Sequence, residues 1–417
     1  MPLLTRLGSV LLFVLLVGCS TTSPSTSTSP STSRSPSSPQ ASTLATSPPT
    51  PIARPPVSST ALFNLLPTEQ PADFTGQITC TGPIGASDPV AVVQLDQSAG
   101  SELVLRDYSD RGSPRTACTF VSVTVDQLID AHHVVIGWGG SAKYAVVDLP
   151  DATFHWFALP PWSPESYSTL IAVSPQMDQV AWLQERPSQD ASITTREIHI
   201  TTAAGDAVVA SLTDQPTGFC GAPLDSSKRG AYSLSGDHLY LLDQGFSGPA
   251  DYSLRVLEGL TTVLPIMPPS GGWPEGEHPA MAVWAPGSET LYYRQGESVW
   301  QWTSGGVDSF LPGVRWSSPS ITPDGKTAAY WLPGGDGTGE VYLADLESGA
   351  SPRLIGRARG APIFLNDAQL WYLSAPIDHG CTGVEGGPTI YNVIDGSEAP
   401  SVIAWVRGVW PAVSSAH

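Results

Sequence analysis

The sequence predicts an all-β fold, a seven-bladed β-propeller, and three observations carry that expectation. Apolar strand motifs recur along the chain at blade-like spacing. Turn residues are abundant, with 40 glycines and 40 prolines among 417 residues. No stretch combines a helical apolar period with helix caps. The clearest unit runs from Arg315 to Ile355. Ser320–Thr322 reads as a short strand and Pro323–Lys326 as a tight turn, where Asp324 and Gly325 accept positive φ. Thr327–Trp331 is an apolar second strand, Pro333–Gly339 a wide loop, and Val341–Leu346 a third strand. Glu347–Gly349 turns the chain again, and Arg353–Ile355 opens a fourth strand. Four short antiparallel strands in about forty residues make one blade.

From the first residue the reading is different. Arg6 precedes an apolar run, Leu7–Val17, that is too short to span a bilayer. Leu16-Val17-Gly18-Cys19 resembles the lipobox of bacterial lipoproteins, with small residues before the cysteine that would carry the lipid. The resemblance implies a lipoprotein signal peptide over residues 1–18, lipidation at Cys19, and an extracytoplasmic chain held to the membrane by its lipid, at the cell surface or in the periplasm. Residues 19–60 are nearly all Ser, Thr and Pro. They cannot bury enough apolar surface to offset ordering entropy, so a disordered linker is expected. At polyproline spacing it would reach roughly 120 Å. Residues 61–417 have globular composition and form the expected propeller, with 13 tryptophans to pack between blades.

Third-strand centres fall at Leu103, Val146, Ile198, Leu254, Val299, Val341 and Ile390, at gaps of 42 to 56 residues. Each follows an apolar second strand, from Val90–Leu95 for the first to Gln369–Leu373 for the last. Seven blades follow from this count, while six or eight stay open because the terminal units diverge. Gly408–Ser414 echoes the segment Val314–Ser320 and lacks a blade of its own. It is expected to close the ring by adding to the first blade, since open sheet edges aggregate. The wording SPSITPDGKTAAYW…GEVYLADLESG resembles the WD-like blade repeat of the translocation protein TolB and related propellers. The resemblance implies a TolB-like propeller.

Four cysteines follow Cys19, namely Cys80, Cys118, Cys220 and Cys381. An even number in an exported domain points to two disulfides, with three pairings open. Cys80 and Cys118 bracket the first blade and are the favoured local pair, leaving Cys220 and Cys381 for each other. CxxC spacing is absent, which speaks against a zinc cluster. A net charge of −19 and a pI near 4.6 exclude nucleic acid as a partner and leave membrane attachment to the lipid.

Neither a G-x-S-x-G elbow nor an H-E-x-x-H motif occurs. The expected function is binding without catalysis, by a monomer that uses no cofactor or metal, of an envelope protein, peptide or glycan. In a propeller, loops that enter a blade share one face with loops between its second and third strands. That face collects Trp138, Trp162, Trp273, Glu277, His278, Asp336, Asp378 and His379 as candidate ligand-binding residues. Tryptophan among acids there would select a basic or hydroxyl-rich ligand. The alternative is a metal-dependent propeller enzyme, lactonase- or lyase-like, using the same loops.

Overall fold

A computed structural model describes residues 62–97, 100–139, 142–149, 151–161, 163, 166–187, 194–214, 230–243, 252–274, 277–334, 339–378 and 384–411. Cys19, Trp162, Cys220, Asp336, His379 and Cys381 lie outside them, as does the side chain of Asp378. The described strands form seven antiparallel sheets, joined in sequence as seven blades. Among the described residues there is no α-helix, and no helix is long and apolar enough to cross a membrane.

Blade 1 holds β1 (Gln77–Cys80), β2 (Val90–Gln97), β3 (Gly100–Asp107) and β4 (Arg115–Val121). Blade 2 holds β5 (Thr124–Leu128), β6 (His133–Gly137), β7 (Lys143–Asp148) and β8 (Thr153–Ala158). Blade 3 follows with β9 (Tyr167–Val173), β10 (Gln179–Pro187), β11 (Thr194–Thr202) and β12 (Gly205–Asp214). Blade 4 consists of β13 (Gly230–Tyr232), β14 (His238–Asp243), β15 (Ser253–Glu258) and β16 (Thr261–Ile266). In blade 5 these are β17 (Pro279–Trp284), β18 (Leu291–Gln295), β19 (Ser298–Thr303) and β20 (Gly306–Leu311). Blade 6 comprises β21 (Ser317–Ile321), β22 (Thr327–Pro333), β23 (Gly339–Asp345) and β24 (Arg353–Arg357). Blade 7 comprises β25 (Arg359–Phe364), β26 (Gln369–Asp378), β27 (Val384–Asn392) and β28 (Glu398–Pro400). All seven centres read from the sequence lie in the third strand of their blade.

The ring closes as the repeat echo suggested, with a longer strand. β29 (Ile403–Trp410) pairs with β2, so that Val90 faces Trp410, Val93 faces Val406 and Leu95 faces Ile403. It is the innermost strand of blade 1, whose order is β1-β4-β3-β2-β29. Starting at Ile403 lets Ile403, Val406 and Val409 all enter the core between blades 1 and 7, beside Ala91, Val93 and Trp371. The fifth strand, β1, lies outside β4, and there Cys80 and Cys118 stand directly opposite and form a disulfide.

Neighbouring blades are fastened by side chains that cross the gap between sheets. Three buried tryptophans donate their indole N–H to a carbonyl of a neighbouring blade's inner strand: Trp284 to Ala231 (2.8 Å), Trp316 to Met281 (3.2 Å) and Trp371 to Ile403 (2.9 Å). Each ring fills interblade volume while its one polar atom is satisfied, which is what a large amphipathic side chain needs when buried. Gln127 bridges blades 2 and 3, accepting from the Val173 amide (2.7 Å) and donating to its carbonyl (2.9 Å). Asn366 of blade 7 donates to the Tyr108 carbonyl of blade 1 (3.3 Å).

The segment before β1 packs on blade 2. A single 3-10 turn, Leu62–Leu65, inserts Phe63 edge-on against His155 and Phe157. Further on, Phe74 sits edge-on to Trp138 and Trp156.

Candidate functional site

In each blade the first strand begins, and the second ends, at the same end of the sheet. Loops between blades and loops between second and third strands therefore share one face, called here the front face. Between blades 4 and 6 this face gathers an aromatic and cationic cluster.

The loop from Met267 to His278 enters blade 5 through two turns, closed by Gly272 N–H to Pro269 O (2.9 Å) and Glu277 N–H to Pro274 O (3.1 Å). Gly271 and Gly272 take φ of 103° and 82°, conformations that a β-carbon disfavours. The loop thereby reaches back to blade 4, where Trp273 donates its indole N–H to the Tyr252 carbonyl (2.6 Å). The His278 ring lies over the Tyr252 ring, with centroids 3.9 Å apart and planes 31° from parallel. At the end of β18, Arg294 supplies a half-buried guanidinium to the same cluster. Its Nη1 donates to the Trp316 carbonyl (3.5 Å), and its Nε is buried without a hydrogen-bond partner. It forms no ion pair with any described residue. Arg315, from the loop entering blade 6, is held by Glu297 at 3.3 Å, both side chains being exposed.

The titration behaviour reflects this packing. Burial, reinforced by the Arg294 charge and opposed by the hydrogen bond of His278 Nδ1 to the Pro279 carbonyl, holds the His278 imidazole below its ordinary pKa. Burial also lowers the pKa of Arg294 and the neighbouring Arg315 adds to that, while Glu297 and Tyr252 oppose it. The Tyr252 phenol is pushed up by burial, with Arg294 opposing. Burial and the Arg294 charge thus both favour the neutral imidazole of His278.

Trp273 and His278 therefore do come together, with Glu277 exposed beside them. The charge acting on the rings is the Arg294 guanidinium, while Asp336 and the side chain of Asp378 lie outside the described residues. Trp138 behaves differently. It is only 7% exposed and stands edge-on to Phe74 and Trp156, so most of its surface belongs to the blade 2 core. One edge lines a front-face cavity of about 460 Å³ together with Asp126, Lys143 and Tyr144. All of blade 3 separates it from Trp273. Tyr252 and Arg294 were not anticipated from the sequence. Arg294 could have been found as the one charge closing an otherwise uncharged strand, Leu291–Gln295. Among the described residues, no three His, Cys, Asp or Glu side chains stand close enough to hold a metal ion.

No protein-family model matches the chain, and no curated protein does. Among solved structures, it is similar to TolB from Acinetobacter baumannii, with 12% identity, 77% of this chain and 82% of that one covered, and a TM-score of 0.36. It is similar to an oligogalacturonate lyase in complex with manganese, at 13% identity over 78% of this chain and 94% of that one, with a TM-score of 0.44. It is also similar to the β-propeller domain of the Trilobed protease from Pyrococcus furiosus, at 10% identity over 75% and 84% of the two chains, with a TM-score of 0.37. Likeness at this level concerns the propeller fold and nothing finer.

Proposed function

We propose that this chain is a lipid-anchored extracytoplasmic propeller that binds another cell-envelope component through its front face, without catalysis. The observation that carries the reading is the cluster of Tyr252, Trp273, His278 and Arg294, drawn from two blades and the loop that joins them. Partly exposed aromatics beside an arginine, on a rigid scaffold, are the groups that dominate binding energy at protein surfaces. The location is supported by Leu16-Val17-Gly18-Cys19 and by the Ser/Thr/Pro-rich linker behind it. The Cys80–Cys118 disulfide fits an oxidising compartment.

The test uses the full-length chain in cells, cross-linked and recovered with its partner. Trp273→Ala with His278→Ala should remove the cross-linked partner while the melting temperature stays within a few degrees. Cys19→Ala should move the protein out of the membrane fraction. Survival of the cross-link in the double variant sinks the binding-face reading, and a Cys19→Ala protein that still sediments with membranes sinks the lipid anchor.

A further inference from the structure

We infer that the front-face cavity of blade 2 is a second binding site, and that it takes a neutral, hydroxyl-rich ring, a single sugar unit. The cavity is separate from the cluster between blades 4 and 6 and does not depend on it. Its volume of about 460 Å³ lies within the range of small-molecule sites, about 300–1,000 Å³. Two loops frame it, the entry to β5 through Ser122 and Thr124, and the connection from β6 to β7 through Gly139 and Lys143. Both hold backbone in the left-handed conformation, with φ of 58° at Ser122, 68° at Gly139 and 33° at Ala142. A serine and an alanine are strained there, and such strain collects where a loop must keep one shape for a ligand.

The polar groups of the cavity are exposed and held in place. Asp126 is the extra residue where β5 shifts register against β6, and its side chain is open to solvent. A bulge of this kind re-aims a side chain. The carboxylate lies against the bare α-carbon of Gly137: a β-carbon there would stand 2.6 Å from Asp126 Oδ2 and 2.9 Å from Thr124 Oγ1. The Thr124 hydroxyl is 3.5 Å from the same carboxylate oxygen. Lys143, its side chain 41% exposed, is fixed by an ion pair with Asp73 of the segment before β1. A carboxylate offers about four acceptor positions and an ammonium three donors, so each can keep a structural partner and still bind a ligand. Among the described lining residues these are the two charges, one of each sign. An anion would meet Asp126 and a cation would meet Lys143, whereas neutral hydroxyls can donate to the one and accept from the other. Val123, Ala142, one edge of Trp138 and Tyr144 supply the carbon surface on which the C–H face of a sugar ring can lie.

Titration of the purified full-length chain, followed by nuclear magnetic resonance, tests this with the methyl glycosides of glucose, mannose, galactose and N-acetylglucosamine. Lysine amide and acetate are the cationic and anionic counterparts. At least one glycoside should bind more tightly than either, and should move the Trp138 indole resonance while leaving that of Trp273 in place. Asp126→Ala should weaken this binding at least tenfold. Gly137→Ala should do the same, because its methyl group displaces the carboxylate while the charge is kept. The Trp138 readout uses the unsubstituted protein, so it holds even where a variant folds poorly. Either order of the best glycoside and its disaccharide supports the inference; a tighter disaccharide assigns the sugar to a longer glycan, a tighter monosaccharide to a free one. Tighter binding of lysine amide or acetate overturns the inference, as does a shift of Trp273 without Trp138. Absence of binding by all four glycosides also overturns it, as does either variant binding within twofold of the original. The cross-linking of the Trp273 and His278 variant judges the other cluster separately.

Discussion

Replacing Ile403, Val406 and Val409 together by alanine should open the ring at its seam. These side chains are 3%, 1% and 6% exposed, and they form the wedge between blades 1 and 7. Truncating a buried isoleucine costs about 2–5 kcal/mol, and each valine loses about 1.6 kcal/mol of transfer energy at ~0.8 per methylene, before any cavity cost. The sum is roughly 5–8 kcal/mol, against a typical native stability of about 5–15 kcal/mol. For a domain this large that corresponds to a fall in melting temperature on the order of 10 °C. The Trp371 indole, which donates to the Ile403 carbonyl, is a buried donor that loses its acceptor whenever the strand detaches. Unfolding in urea and by heat, followed by far-UV circular dichroism, measures the loss. Hydrogen exchange of β2 amides locates it, because β2 is the strand that β29 pairs with. Val402→Ala, at a side chain 65% exposed in the same segment, serves as the control and should change stability by less than about 0.5 kcal/mol. A triple variant that melts with the unsubstituted protein, and whose β2 amides exchange no faster, would refute the account of closure.

Two further perturbations test other parts of the frame. Changing Cys80 and Cys118 to serine releases a cross-link spanning 38 residues and should cost about 3–4 kcal/mol by loop entropy; a reduced protein as stable as the oxidised one would count against it. The His133–Asp130 pair should give a pH optimum to stability. Burial works to pull the His133 pKa down, but the hydrogen bond and charge of Asp130, with Asp148, outweigh it and hold the pKa above its ordinary value. Its contribution is therefore full below about pH 6.5 and is lost as pH rises through the raised value. Burial acts to raise the Asp130 pKa, yet hydrogen bonds from His133 and the backbone leave it depressed. That contribution is present above about pH 4 and is lost on acidification. His133→Ala should remove the loss of stability above these limits and reduce the loss below them, and an unchanged profile would show that the pair contributes nothing.

Much of the frame was legible in the sequence because a blade is a local object. Its strands alternate and turn within about forty residues, so Leu103, Val146 and Ile390 could be assigned to third strands from their immediate neighbours. The same locality made Cys80 and Cys118 the natural pair, since both border one blade. The likeness of the chain's last strand to an inner strand, visible in Trp410 and Trp316, announced closure before its register was known. Only the tertiary structure decided where the first segment goes, sending Phe63 and Phe74 onto blade 2 and β1 outside β4. It also turned Trp138 from a surface candidate into a core residue, because Phe74 arrives from 64 positions away to cover it. The site itself was half legible: Trp273 and His278 announce themselves within one loop, whereas Tyr252 and Arg294 belong to different blades, 42 residues apart. Sequence spacing within a blade carries no information about which side chains of neighbouring blades meet. That is fixed by the wedge-shaped packing of the sheets around the ring, which sets both the distance between loops and which charges they bury.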